Sequence, residues 1–343
     1  MAQVLKRRFP RVHVAMLIRE YTADLVSGHP CVDSYLNYDH NDRPTPFFRL
    51  RTILRSERYD VVIHTHPRIR LALLTWLARI PVRVGTGYRW YSMLFNRRVY
   101  EHRKDAQRHE LEYNLRLLEA VGCSIEGEKV QPSITVRPEV LEDVRDMLTK
   151  LDVSAEARIV ILHPGSGGSA RDWREENFGM LGERLARIPN VRVLITGGKG
   201  EGELCDRVRA IAGSAVVAIV DRLTLEQYAA LARMSTLFIA NSTGTIHIAA
   251  AAGAHVLGLY PTITALSAAR WGPYTAKRTI IAPYQKPTDC KNCDGEKGRR
   301  CECMDSISVD EVYTAAVLVL DGGNVERNAS LLTTNDHNHT SVA

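Results

Sequence analysis

The second half of the chain repeats one unit: a short β-branched run, a turn of small or hydroxylated residues, then a longer amphipathic stretch. The runs are RIVILH (158–163), VRVLIT (191–196), AVVAIV (215–220), LFIAN (237–241) and HVLGLY (255–260). Each of the first four leads into a Gly, Ser or Thr turn or a helix start. Strands covered on both faces read as continuous apolar runs, and helical stretches between them impose parallel crossovers. The first half keeps the same rhythm less clearly. Its strand candidates lie at 12–18, 32–38, 60–66 and 82–87, with helical stretches near 47–56, 68–79 and 109–122. In the last of these Leu111, Leu115 and Leu118 recur at helical spacing, and Gly122 is placed to end the helix. The expectation is an α/β protein with parallel sheets.

A chain of 343 residues accommodates two such domains. Residues 138–151 open with Pro138 at a first helical position and lead into the second domain, so the expected domains are 1–137 and 138–320. Residues 321–343 are polar and aperiodic and read as a disordered tail. No apolar run reaches 18 residues and the N-terminus lacks a secretory apolar region, which together predict a cytoplasmic protein. Residues 1–110 carry 20 Lys and Arg against 10 Asp and Glu, whereas the remainder carries 25 against 29. A basic first half suits an anionic partner such as nucleic acid, a phosphorylated substrate or an acidic membrane, or else is a solvated Arg-rich face. It has no zinc-finger or aromatic-interleaved pattern beyond Tyr88, Trp90 and Tyr91, so a nucleic-acid partner is not expected. No G-x-G-x-x-G follows a strand, which disfavours a dinucleotide dehydrogenase.

Ligands of open parallel sheets bind where strand carboxyl ends meet helix N-termini, and three such loops are unusual here. The first runs from His163 to Trp173 with sequence HPGSGGSARDW. Its small residues let backbone approach a phosphate, and Arg171 supplies a fixed charge; the Gly-Lys-Ser/Thr ending of a Walker loop is absent. The second, GGKGE (197–201), puts Glu201 where a carboxylate could accept from two ribose hydroxyls, or could simply favour a helix start. The third places Ser242, Thr243, Gly244 and His247 at a helix N-terminus, an anion site by its dipole; the alternatives are a plain N-cap and a core histidine.

HPGSGGSARDWREENF, ITGGKGE and NSTGTIHIAAAAG followed by WGPY together resemble glycosyltransferase family 9. RRFPRVHVAMLIREYTADLVSGHPCVDSYL and RVGTGYRWYSMLFNRRV agree, so the resemblance spans residues 1–320. It implies a GT-B fold, two facing Rossmann-like domains with the acceptor on the first and the nucleotide-sugar on the second. The implied reaction is inverting transfer of a heptose from ADP-heptose to the lipopolysaccharide inner core, needing no metal or other cofactor. By position the resemblance gives Ser166 and Arg171 to the diphosphate, Glu201 to the ribose and the Leu223 backbone to adenine. Ser242, Thr243, Gly244 and His247 fall to the diphosphate and sugar. Many relatives have Lys at the Arg171 position and Asp at that of Ser242. Arg68, Arg70, Arg89, Arg97 and Arg98, read as following strand ends or in the adjoining loop, are the candidates for a phosphorylated acceptor: lipid A-Kdo or a heptosylated core. The lipid acceptor implies peripheral contact with an anionic membrane surface.

Relatives begin with a strand and a Gly-Asp loop whose Asp resembles the general base, before a helix matched here by AQVLKRRFP. Met1 falls inside that helix, so the first strand and the base are expected to be absent from this chain, and no catalytic base is assigned. The alternative that follows is an inactive nucleotide-sugar-binding relative. Cys290, Cys293, Cys301 and Cys303 form C-x2-C-x7-C-x-C, a weak zinc candidate because the C-x-C end is tighter than a usual knuckle; reduced thiols are the default in cytosol. Cys31, Cys123 and Cys205 stand alone.

Overall fold

Every strand pairing in the long apolar runs is parallel. The computed structural model describes residues 1–284 and 302–322, and the chain divides into two units, Met1–Gln131 and Pro132–Ala343. The first unit runs α1 (Ala2–Arg8), β1 (Ala15–Ile18), α2 (Ala23–Val26) and β2 (Ser34–Asn37), then a small antiparallel pair, β3 (Asp39–His40) and β4 (Arg43–Pro44). It continues with α3 (Phe47–Ser56), β5 (Val61–Ile63), α4 (Ile69–Leu77), β6 (Val82–Thr86), β7 (Arg97–Val99) and α5 (Glu110–Arg116).

Strand runs in this unit do not join one sheet: β1 pairs with β2, and β5–β6–β7 form a separate ladder. These strands have three to five residues each, and what unites them is side-chain packing rather than a shared ladder. Leu17, Leu36 and Val62 all pack on Leu50 and Leu54 of α3 and Leu74 of α4. A second departure concerns Arg97 and Arg98, which lie inside β7 rather than beyond a strand end, paired with Val84 and Gly85. The triplet RRV has no alternation to announce a strand. Its pairing is set from outside, by β6 and by Phe95, whose ring lies where a Cβ on Gly85 would be only 2.5 Å away.

The second unit contains α6 (Pro138–Lys150), β8 (Arg158–His163), α7 (Glu175–Ala186), β9 (Val191–Gly197), α8 (Gly202–Ala212) and β10 (Val217–Val220). Then follow α9 (Leu225–Met234), β11 (Leu237–Asn241), α10 (Gly244–Ala252), β12 (Val256–Leu259), α11 (Ala268–Trp271), β13 (Arg278–Ile281), α12 (Glu302–Asp305) and α13 (Val309–Leu320). Its six strands form one parallel sheet in the order β10-β9-β8-β11-β12-β13. Alternate residues of each strand face opposite cores. Leu162, Val193 and Ile239 pack with Trp173, Phe178 and Leu181 on one side, and Ile161, Leu194 and Phe238 with Val144, Tyr228 and Ala249 on the other. Burial on both faces is why these runs are apolar throughout.

Residues 132–137 belong to this unit because their polar groups are held by it. The Ile134 N–H donates to the Ala251 carbonyl (3.3 Å), and Arg137 donates to the buried Glu226 carboxylate through its backbone (2.9 Å) and guanidinium (2.7 Å). The division therefore falls six residues before Pro138. Cys290, Cys293 and Cys301 and residues 323–343 lie outside the described residues. Cys303 is buried in the core with Met304 and Ile307, and among the described residues no cluster of three metal-ligating side chains occurs. No helix among them is long and apolar enough to cross a membrane.

Candidate functional site

β8 and β11 are neighbours whose onward connections leave in opposite directions, to β9 and β10 on one side and β12 and β13 on the other. At such a reversal the loops part and leave a crevice beyond the strand carboxyl ends. The loop after β8 lines one side of it. Gly167 and Gly168 adopt positive φ (+56° and +74°), a turn that side chains resist, and the Ser169 N–H (3.0 Å) and hydroxyl (2.7 Å) both donate to the Ser166 carbonyl. Ser166 and Arg171 are both buried in this loop, at 7% and 5% exposure. At its exit the Trp173 ring packs edge-on to Phe178 at 5.0 Å, and its indole N–H donates to the Ile307 carbonyl (2.8 Å).

Glu201 immediately precedes α8, but its side chain does not cap that helix. Its carboxylate turns back instead. Oε2 accepts from the Gly198 N–H (2.7 Å) and lies 3.8 Å from His163 Nε2. The same carboxylate covers Gly165, where a Cβ would stand 2.1 Å from Oε1. Gly165→Ala is therefore expected to push the carboxylate aside and weaken about tenfold the binding of a ligand that Glu201 holds, with little loss of fold stability, as measured by titration and thermal melting together. Unchanged affinity would show that Glu201 is not held for a ligand.

After β11, Thr243 stands at the N-cap of α10 yet its side chain makes no capping bond. The first-turn N–H groups of α10 point beyond the strand end, with the positive end of the helix dipole behind them. Gly244 opens the helix and His247 lies in its first turn, half-buried. The Tyr260 phenol donates to the Trp271 carbonyl (2.9 Å), and the nearby Ser242 hydroxyl works against the rise that burial imposes on the Tyr260 pKa. Leu223, between β10 and α9, packs on the core that includes Tyr228.

Beneath these loops lies a buried polar floor that sequence reasoning did not single out. His163 Nδ1 is within hydrogen-bond reach of Thr196 Oγ1 (3.0 Å) and Tyr228 Oη (3.1 Å). Burial lowers the His163 pKa to about 4, with the Glu201 charge opposing, so the ring is neutral at pH 7. His64 in the first unit is likewise held down to about 4 by burial. Both groups gain a proton more readily when unfolded, at an ordinary value of 6.5. Stability is then fully present above pH 6.5 and falls as pH drops from 6.5 toward 4. Thermal melts from pH 7 to 5 should show this decline, and His64→Asn and His163→Asn should flatten it; an unchanged slope in both variants would refute it.

Asp172 reports how closely the groups gather. Lost hydration raises its pKa, the nearby Ser166 hydroxyl opposes this, the Glu201 charge adds to the rise and the Arg171 charge counters it. Loops separated by more than twenty residues thus bring Ser166, Arg171, Glu201, Thr243 and Gly244 to neighbouring strand ends. Residues 47–298 match the family model described as glycosyltransferase family 9 (heptosyltransferase).

The chain belongs to glycosyltransferase family 9.

It is 27% identical over 275 residues to a candidate glycosyltransferase of Haemophilus influenzae, covering 79% of this chain and 80% of that protein. Among solved structures it is similar to the glycosyltransferase family 9 protein from Veillonella parvula, with TM-score 0.79, 19% identity and coverage of 94% and 92%. It is also similar to the E. coli ADP-heptose LPS heptosyltransferase II, with TM-score 0.74, 20% identity and coverage of 94% and 93%. The fold of this family 9 protein is thus the α/β GT-B class of its structural neighbours.

In its first unit the five arginines have unlike surroundings. Arg70 donates to the Thr45 carbonyl and lies over the Tyr38 ring at 5.0 Å. Arg68 donates to His66 (2.9 Å) and Arg98 to the Phe95 carbonyl (3.2 Å), but both remain exposed, as do Arg89 and Arg97. The family 9 residues that sequence reasoning missed are His163, Thr196, Tyr228 and Asn241. His163 and Asn241 carried a signal, a single polar residue ending an otherwise apolar strand. Thr196 ends its run in the same way, whereas Tyr228 had none.

Proposed function

We propose that the protein transfers a heptose from ADP-heptose to an inner-core lipopolysaccharide acceptor with inversion at the anomeric carbon. The observation that carries this reading is the turning of Glu201 away from its own helix toward the loop holding Ser166 and Arg171. A carboxylate beside a cation and an uncapped helix N-terminus suits a nucleoside diphosphate: ribose hydroxyls donate to Glu201, and the phosphates meet Arg171 and the first turn of α10. The E. coli relative's description as an ADP-heptose LPS heptosyltransferase supports the choice of nucleotide, sugar and acceptor.

In the reaction the acceptor hydroxyl oxygen forms a bond to the anomeric carbon as the bond to the diphosphate oxygen breaks, and the hydroxyl proton passes to a base. Charge grows on the departing ADP, and Arg171 with the α10 N–H groups would stabilise it more in the transition state than in the ground state. Ser242, a neutral residue, would line the loop rather than carry charge. The exposed arginines Arg68, Arg89, Arg97 and Arg98 suit acceptor phosphates, whereas Arg70 is engaged within its own unit. Trp90 and Met93, at 75% and 72% exposure beside Arg89, suit peripheral contact with an anionic membrane from the cytoplasmic side.

Calorimetric titration with ADP, ADP-heptose and UDP tests the donor assignment. Selective binding of the adenine nucleotides supports it, and transfer to a deacylated inner-core acceptor then tests the sugar and the acceptor. A folded protein that binds none of the three would overturn the donor site.

A further inference from the structure

The loop after β8 and the N-terminus of α10 are separate chain segments, yet one side chain holds both. Asn241, the last residue of β11, is completely buried. Its Nδ2 donates to the Pro164 carbonyl (2.7 Å), and its Oδ1 accepts from the Trp173 N–H (2.9 Å). These two backbone groups begin and end the segment that contains Ser166, the two left-handed glycines and Arg171. The next residues along from Asn241 are Ser242, Thr243 and Gly244, the entrance to α10.

We infer that Asn241 is a positioning residue that fixes the diphosphate-binding loop and the α10 N-terminus in register with each other. This rests on the donor-site reading above. A primary amide of this length presents a donor at one end and an acceptor at the other, which is what a carbonyl and an N–H at the two ends of a loop require. Within the segment Ser169 folds back onto Ser166, and Gly167 and Gly168 allow many conformations. Without the amide, two buried backbone groups lose their partner and the loop ends are free to separate. A diphosphate spanning the loop and α10 would then order them at its own cost in affinity. The nucleoside end depends on Glu201, whose bond to Gly198 does not run through Asn241.

Asn241→Asp keeps the size and the acceptor but sets an oxygen against the Pro164 carbonyl, and Asn241→Ala removes both bonds. Each is titrated with ADP and with adenosine alongside the unaltered protein, with hydrogen exchange followed over residues 164–173. The expected result is ADP affinity lower by roughly 10- to 100-fold, adenosine affinity within about twofold, and faster exchange in the loop. Equal losses for ADP and adenosine, or an unchanged ADP affinity, would overturn the positioning role. If Asn241→Ala fails to fold, Asn241→Asp carries the test, being isosteric. Failure of the unaltered protein to bind ADP would instead overturn the donor-site reading on which this inference stands.

Discussion

Replacing Arg171 with methionine is expected to weaken ADP binding and lower kcat/KM for sugar transfer by roughly 100- to 1,000-fold. The guanidinium is the fixed cation of the loop after β8, and at 5% exposure it acts where water screens it little. On the proposed reaction, negative charge on the diphosphate grows as the leaving group departs, so the loss should fall on kcat as well as on KM. Methionine preserves much of the stem's packing while removing the charge, which separates electrostatics from volume. Arg171→Lys should recover most of the loss, because a point charge still faces the phosphates although bidentate geometry is gone. Steady-state kinetics with ADP-heptose and calorimetry with ADP check both variants. A methionine variant within fivefold of the parent would show that the diphosphate is held elsewhere.

Trp173→Ala should destabilise the second unit by about 3–5 kcal/mol. The side chain is 2% exposed, packs edge-on against Phe178 at 5.0 Å and satisfies the Ile307 carbonyl from its indole nitrogen. Truncation leaves a cavity beneath the loop exit and an unpaired buried carbonyl. Trp173→Phe keeps most of the apolar contact and drops the hydrogen bond, so it should cost about 1–2 kcal/mol. Because the Trp173 backbone N–H is held by Asn241, nucleotide binding and stability should decline together in the alanine variant. Urea unfolding followed by intrinsic fluorescence and far-ultraviolet dichroism measures the change; a loss under 1 kcal/mol would show that the site collapses to fill the space.

Arg171 and Glu201 differ in how far the sequence betrays them. Arg171 stands in a run of small residues after a β-branched strand, and its loop was legible as a candidate anion site from composition and place. Glu201 was legible as a candidate, but where its side chain turns was not. The carboxylate lies against Gly165, a residue 36 positions earlier, and no local pattern encodes that meeting. Arg97 and Arg98 show the opposite failure: read as lying beyond a strand end, they sit in a strand that exists because β6 and Phe95 supply its partners.

What the sequence determined by itself is whatever depends on neighbours along the chain: apolar runs that must be covered on both faces, glycines that admit left-handed turns, and motifs whose order resembles family 9. Tertiary structure decided what depends on neighbours in space. The strand order reverses between β8 and β11, Asn241 joins the two ends of a loop, and His163 is forced neutral by the burial around it. Hydrogen bonds and desolvation act over a few ångströms regardless of chain separation, so the buried polar floor took form only once the sheet had brought its strand ends together.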